Sequence, residues 1–287
     1  MTLSLDHYTR PATTHRHQFG DHRITYLPDG VALLEPQAWL PGADDQIWAE
    51  HAHLINADGY LVASVGALLV EYGNQALLID AGFGPLAVST PFGLLRGGQL
   101  LDSLDAVGKS PTDIELLAIT HLHLDHIGWL WQSSPTSYTS PFADIPILVG
   151  DTEWDQRDLA FADGASPEMI EVFAAQVHTI GDGEEIFPGV HAMATPGHSH
   201  GHLAYTITSP GHRLIAFGDA MQTPLQITQS ELTAAVDDDP VASVATCRRL
   251  IDELTMPGVL GFGLHFADVQ LGRVTTHPDR GRTWQPQ

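Results

Sequence analysis

Five histidines and two aspartates in this chain have the types and spacing of a metal site. The run His121-Leu122-His123-Leu124-Asp125-His126 packs three imidazoles and a carboxylate into six positions. Downstream follow His198 in Thr195-Pro196-Gly197-His198, Asp219 in Phe217-Gly218-Asp219-Ala220 and His265 in Gly263-Leu264-His265-Phe266. Imidazole and carboxylate are ligands of divalent transition metals such as zinc. Seven such groups exceed what one tetrahedral ion takes, but they suit two ions sharing a bridging carboxylate. Two metals roughly 3.5–4 Å apart make a hydrolytic site, because they lower the pKa of a shared water toward neutrality.

The elements that must position these groups are legible around them. Ile114–Thr120 reads as a buried strand ending at the His run, and buried polar groups in such a place need partners or metal. Strands are expected at 23–28, 60–72, 76–80, 145–149, 203–208 and 213–217, the last stopping just before Gly218-Asp219. Gly73-Asn74 reads as a hairpin turn and Asp29-Gly30 as another. Leu100–Val107 reads as helix, and a second helix opens at Asp239-Pro240. Residues 31–58 read as irregular, and residues 1–20 as a loose N-terminal arm preceding one domain over 21–287.

With these residues in view, the sequence resembles the metallo-β-lactamase superfamily from about residue 60 to 270. The H-x-H-x-D-H run is that family's signature, and the other ligand motifs follow in its order. The resemblance implies a four-layer αβ/βα sandwich with the metals at one edge between two sheets. It implies two divalent ions, with zinc expected. His121, His123 and His198 would hold the first, Asp125, His126 and His265 the second, and Asp219 would bridge both. Asp80, in Leu77-Leu78-Ile79-Asp80-Ala81-Gly82, corresponds to a buried family carboxylate behind the ligands; an Asp capping the turn before Gly82 fits the same residues. His202 is expected to orient the 198–202 loop by hydrogen bonding, while His200 has no assigned role. Asp125 is also placed to accept the nucleophile's proton, so Asp125 and Asp219 are the catalytic candidates.

Within the family, the branches most alike are the N-acyl homoserine lactonases and the methyl parathion hydrolase-like enzymes. The bridging Asp219 separates the chain from true β-lactamases. The glyoxalase II branch shares the ligands but binds glutathione with basic residues toward its C-terminus, where this chain is poor in Lys and Arg. Quorum-quenching lactonases carry a Tyr three residues after the bridging Asp; here that position is Gln222. The segments 92–100 and 264–274 look more like the methyl parathion hydrolase branch. The implied reaction is opening of a small, uncharged lactone or carboxylic ester. Phosphotriester or aryl ester hydrolysis, thioester hydrolysis, and metal binding without catalysis are the alternatives. Phe266, Met221, Gln222, Trp129 and Trp39 are the pocket candidates. The relatives are often dimers, so a homodimer is an expectation too.

Composition narrows the partners. Twelve Lys and Arg against 35 Asp and Glu leave a formal charge of −23, which argues against nucleic acid and against anionic membrane surfaces. A hydrophobic content of 43% over 287 residues is ordinary for a globular enzyme. The single cysteine, Cys247, excludes an internal disulfide and reads as a buried small residue. No secretory signal and no membrane-length apolar window is visible, which makes the cytoplasm the expected location.

Overall fold

The computed structural model describes residues 4–134, 137–279 and 281–287. Two mixed β-sheets face each other. The first runs β5 (Ala87–Thr90), β6 (Gly93–Arg96), β2 (His22–Leu34), β3 (Leu61–Tyr72), β4 (Gln75–Ile79), β7 (Leu116–Ala118), β8 (Ile147–Gly150) and β9 (Val177–Ile180), with β1 (His15–Phe19) also paired to β2. The second runs β10 (Glu185–Phe187), β11 (Val190–Ala194), β12 (Leu203–Ser209), β13 (His212–Ala216), β14 (Val259–Phe262), β15 (Leu271–His277) and β16 (Gly281–Pro286). Strands β4, β7, β8 and β9 pair in parallel, as do β13 and β14.

The sequence builds this as four layers because its central strands are apolar on both faces. Successive side chains of a strand point to opposite sides, so a strand covered on both sides reads as a continuous apolar run. In β3, Leu68 and Val70 enter the core between the sheets, while Ala67 and Leu69 pack under helices Leu100–Ala106 and Leu124–Trp131. In β12 and β13, Leu203, Tyr205, Ile207, Leu214 and Ala216 face the first sheet. Ala204 and Ile215 face the opposite way, toward helix Pro240–Leu254, whose Cys247, Leu250, Ile251 and Leu254 cover them. Asp239 caps that helix by accepting from the N–H groups of Val241 and Ala242, and Cys247 is buried as expected. The αβ/βα sandwich is the expected fold.

Three local expectations need correction. Asp29-Gly30 is not a turn: β2 continues through it with a register shift against β3 and reaches Leu34. Such a bulge re-aims one side chain without ending the strand. The segment 31–58 is accordingly more regular than expected, with helices Pro36–Trp39 and Asp45–Glu50 after β2. Nor is the N-terminal segment loose over the residues described. Leu5–Thr9 forms a 3-10 turn, Ala12 is buried, and β1 adds to the sheet through the register His15↔Tyr26 to Phe19↔His22. Residues 1–3 of that arm lie outside the described residues.

Candidate metal centre

Every candidate ligand lies just beyond the C-terminal end of a strand, at one edge of the sandwich. His121 and His123 follow β7, and His123 is the residue before helix Leu124–Trp131, whose first turn carries Asp125 and His126. His198 follows β11, Asp219 follows β13 in the 3-10 turn Gly218–Ala220, and His265 follows β14. A sheet fixes the position of a strand end while the loop leaves its side chain free to converge. Two glycines permit the close approaches this needs. A Cβ on Gly128 would sit 2.0 Å from the backbone carbon of Phe83, and one on Gly218, at φ +49°, would meet His202 Nε2 at 2.8 Å.

The donor atoms form the edges of two polyhedra. His198 Nε2 lies 3.0 Å from His123 Nδ1 and 3.4 Å from Asp219 Oδ2. Asp219 Oδ2 is 3.1 Å from His265 Nε2, and Asp219 Oδ1 is 3.2 Å from His126 Nε2. Asp125 offers Oδ1 at 3.8 Å from His126 Nε2 and Oδ2 at 3.6 Å from His265 Nε2. Ligands about 2.0–2.1 Å from a tetrahedral ion stand about 3.3 Å from one another, so these separations fit shared ions. Among the described residues three groupings are compact enough to hold one: His121, His123 and His198; His121, His202 and Asp219; and Asp125, His126 and His265. Three buried atoms test the fit independently. His121 Nε2, His126 Nε2 and Asp219 Oδ1 have no aligned hydrogen-bond partner, a cost that a cation would remove.

Partners behind the cluster fix four of the rings. His126 Nδ1 is 2.9 Å from Asp80 Oδ2, and Asp80 Oδ1 accepts from the Thr120 N–H at 2.9 Å. Asp80 does this from φ +63°, the left-handed region, a strained conformation for a residue with a Cβ. His265 Nδ1 donates to the Ser64 carbonyl at 2.7 Å. His198 Nδ1 is 2.8 Å from Asp237 Oδ1, whose Oδ2 accepts from Ser243 Oγ and the Ala234 N–H. His202 Nδ1 is 2.7 Å from Thr195 Oγ1, and its Nε2 accepts from the Asp219 N–H at 3.1 Å. Glu153, buried, accepts from the Leu122 N–H, Ser199 Oγ and the Gly201 N–H, joining the two His-bearing loops. The sequence reading missed Asp237 and Glu153; the run Asp237-Asp238-Asp239 before the Pro240 helix start was the available signal for the first.

Electrostatics follow from this crowding. Burial alone would lower the pKa of His126, but Asp219, Asp80 and Asp125 outweigh it and hold it well above the ordinary range. His198 and His265 are also raised: burial opposes this, but Asp237 and Asp219 overcome it at His198, and Asp219 at His265. His121 is driven well below by burial and by His126 and His123. Burial and His198 push His202 down to about 3, so it is neutral and can accept from the Asp219 N–H. Burial would raise Asp219, but His265 and His126 hold it ionised.

A cavity of about 310 Å³ opens over the cluster. His123, Asp125, His198, Asp219, His265 and Gln222 form its polar side. Its apolar wall includes Leu34, Trp39, Phe83, Phe92 and Leu95, with Trp39 and Phe92 edge to face at 5.8 Å. Of the five pocket candidates, Trp39 and Gln222 line it. The other three do not. Phe266 is fully buried against Phe217 and Trp284, Met221 is buried in the same cluster under helix Pro240–Leu254, and Trp129 points into the helix-side core and donates its indole N–H to Asp29. Proximity in sequence to a ligand does not make a side chain face the same way.

A sandwich of this kind, with a His and Asp cluster at one edge between its sheets, defines a fold family. The chain belongs to the metallo-beta-lactamase superfamily, whose family model matches residues 63–259. An N-acyl homoserine lactonase of Bacillus thuringiensis is 30% identical over 161 residues, covering 50% of this chain and 58% of that protein. The chain thus spans little more than half the length of such curated relatives. Mouse metallo-beta-lactamase domain-containing protein 1 is 26% identical over 79% of this chain and 80% of its own length. Among solved structures, the dizinc quorum-quenching lactonase AidC superposes with a TM-score of 0.79 at 21% identity, covering 96% of this chain and 98% of that one. The hydrolase AbOPH superposes with a TM-score of 0.78 at 22% identity, covering 97% and 99%. The chain is therefore a member of the metallo-beta-lactamase superfamily, similar at low identity to lactonases.

Proposed function

We propose that this protein is a dinuclear, zinc-dependent hydrolase of small uncharged lactones or carboxylic esters. The observation that carries the reading is the convergence of seven ligand-type side chains, three with unpartnered buried atoms, beneath an apolar cavity. His121, His123 and His198 would hold one ion, Asp125, His126 and His265 the other, with Asp219 between them. When bound, two such ions supply Lewis acidity and a water of lowered pKa.

The chain's own residues do the rest. Asp125, whose side chain is 17% exposed at the cavity floor, is placed to take the nucleophile's proton and pass it to the leaving alkoxide. Gln222 Nε2 donates to Asp219 Oδ2 at 3.0 Å and so orients that carboxylate, with its own backbone N–H tied to Gln226 Oε1. Leu34, Trp39, Phe92 and Leu95 give an acyl or aryl group a dry surface. No Lys or Arg is among the described residues lining the cavity, so an anionic substrate finds no cationic anchor there. The same apolar wall accommodates an aryl ester or phosphotriester, the second reading.

Proton release by zinc-loaded protein on acyl lactones, aryl esters, a thioester and a phosphotriester tests this, with Asp219→Ala as control. Lactone or ester opening that the variant loses is the expected result. Preference for the phosphotriester moves the assignment to the second reading. Zinc binding with no turnover on any substrate overturns catalysis itself.

A further inference from the structure

The turn carrying His265 is held by residues from the far end of the chain. Apart from the site itself, its long-range polar ties among the described residues run to Trp284, to Ser64 and to residues 7–15. Trp284 Nε1 donates to the Val269 carbonyl. Ser64 accepts from His265 Nδ1 through its carbonyl, donates its hydroxyl to the Ala267 carbonyl at 2.9 Å, and accepts from the Ala12 N–H at 2.8 Å. Ala267 sits at φ +43°, where an alanine stays only if its surroundings force it.

Asp268 supplies that force. Its side chain is fully enclosed, and its N–H donates to the His7 carbonyl at 3.0 Å. Its carboxylate accepts from Arg10 Nε at 2.8 Å and meets His15 Nε2 at 2.7 Å, with Arg10 Nη2 and His7 Nδ1 each 2.7 Å from Oδ2. Three of these nitrogens crowd Oδ2, while His15 alone meets Oδ1. Hydrogen bonds to a buried charge are the strong kind. Residues 7–15 and 268 lie outside the span 63–259 that the family model matches.

We propose that the segment 7–15 is a clasp that sets the position of His265 through Asp268 and Ser64, and thereby the affinity of the second metal position. His7, Arg10, His15 and Asp268 are positioning residues and touch no ligand atom of the cluster. The inference rests on the dinuclear reading above. The test uses the full-length protein and cobalt(II), read by stoichiometry, competition with a chelator, and the visible absorption of the bound ion. The double variant Arg10→Ala/His15→Ala removes two donor side chains that are half exposed, which favours folding; Arg10→Lys alone is the conservative control.

The expected result is a wild type that takes two cobalt ions and a double variant that holds the first unchanged while the second weakens at least about tenfold, the scale of groups acting behind ligands. Its absorption band shifts, and Arg10→Lys recovers part of the loss. A merely structural arm would lower thermal stability and leave the two affinities in their wild-type ratio, and that outcome overturns the clasp. A wild type that binds fewer than two ions overturns the dinuclear reading and the clasp together, and is recognised before any variant is made.

Discussion

Asp237 shows how much of a candidate metal site lies behind its ligand-type residues. Its contact with His198 Nδ1 places a proton there and leaves Nε2 as the lone pair facing His123 and Asp219. Asp237→Asn keeps an acceptor oxygen for that N–H but removes the charge that makes the imidazole a stronger base. Zinc affinity at the first position should fall about tenfold to a hundredfold, measured by chelator competition. Wild-type affinity in this variant would reduce Asp237 to a loop tie. Gln222 is the residue where substrate choice can be probed. Gln222→Ala removes the donor to Asp219 Oδ2 without filling the cavity, so kcat should fall more than KM rises. A KM effect alone would mean that Gln222 touches substrate rather than the carboxylate. The candidate ligands were legible in sequence because few functions put three His and an Asp within six residues. The carboxylates behind them were not, because Asp in a loop is the ordinary surface residue and only the tertiary fold turns Asp237 inward.

At the scale of elements, the bulge in β2 explains a misreading and organises the cavity wall. Asp29 sits at the register shift, and its carboxylate gathers the N–H groups of Phe83, Gly84, Gly98 and Leu100 and the indole of Trp129. That one anion ties together the 83–84 turn, the start of helix Leu100–Ala106 and the helix that carries Asp125 and His126. The dipeptide Asp29-Gly30 has turn chemistry, so sequence alone pointed to a turn; the pairing of β2 with both β3 and β6 overrode it. The strands β3, β4, β12 and β13 were readable because their apolar runs are long, whereas β5 and β6, short and half exposed, carry no comparable pattern. Trp129→Phe deletes one donor to a buried carboxylate while keeping most of the ring volume. It should cost about 1–3 kcal/mol, read as a lowered melting temperature, with zinc stoichiometry unchanged. A neutral effect would show that the four N–H groups saturate Asp29 without the indole.

Across the whole molecule the balance of 35 acidic against 12 basic residues makes each cation's placement informative. Two of them converge on Glu71. Arg23, directly opposite it across β2 and β3, donates Nε and Nη2 at 2.6 Å each, and Lys109 Nζ reaches it at 3.2 Å. The Arg23 hydrogen bonds, more than the opposing effect of burial, hold the Glu71 carboxyl below its ordinary range. A carboxyl whose folded pKa is depressed stabilises the fold fully above its unfolded value of about 4.3 and loses that contribution as pH falls through the lower folded value. Glu71→Gln is nearly isosteric and cannot ionise, so it removes this contribution at every pH. The melting temperature of the wild type should therefore exceed that of the variant at neutral pH. The gap should stay constant down to about pH 5 and close progressively below about pH 4.3. General relief of self-repulsion on acidification acts on both proteins alike and cancels in the difference. A gap that does not change between pH 7 and 3 would mean that Glu71 contributes by packing, and that charge pairing across β2 and β3 does not govern the acid limb.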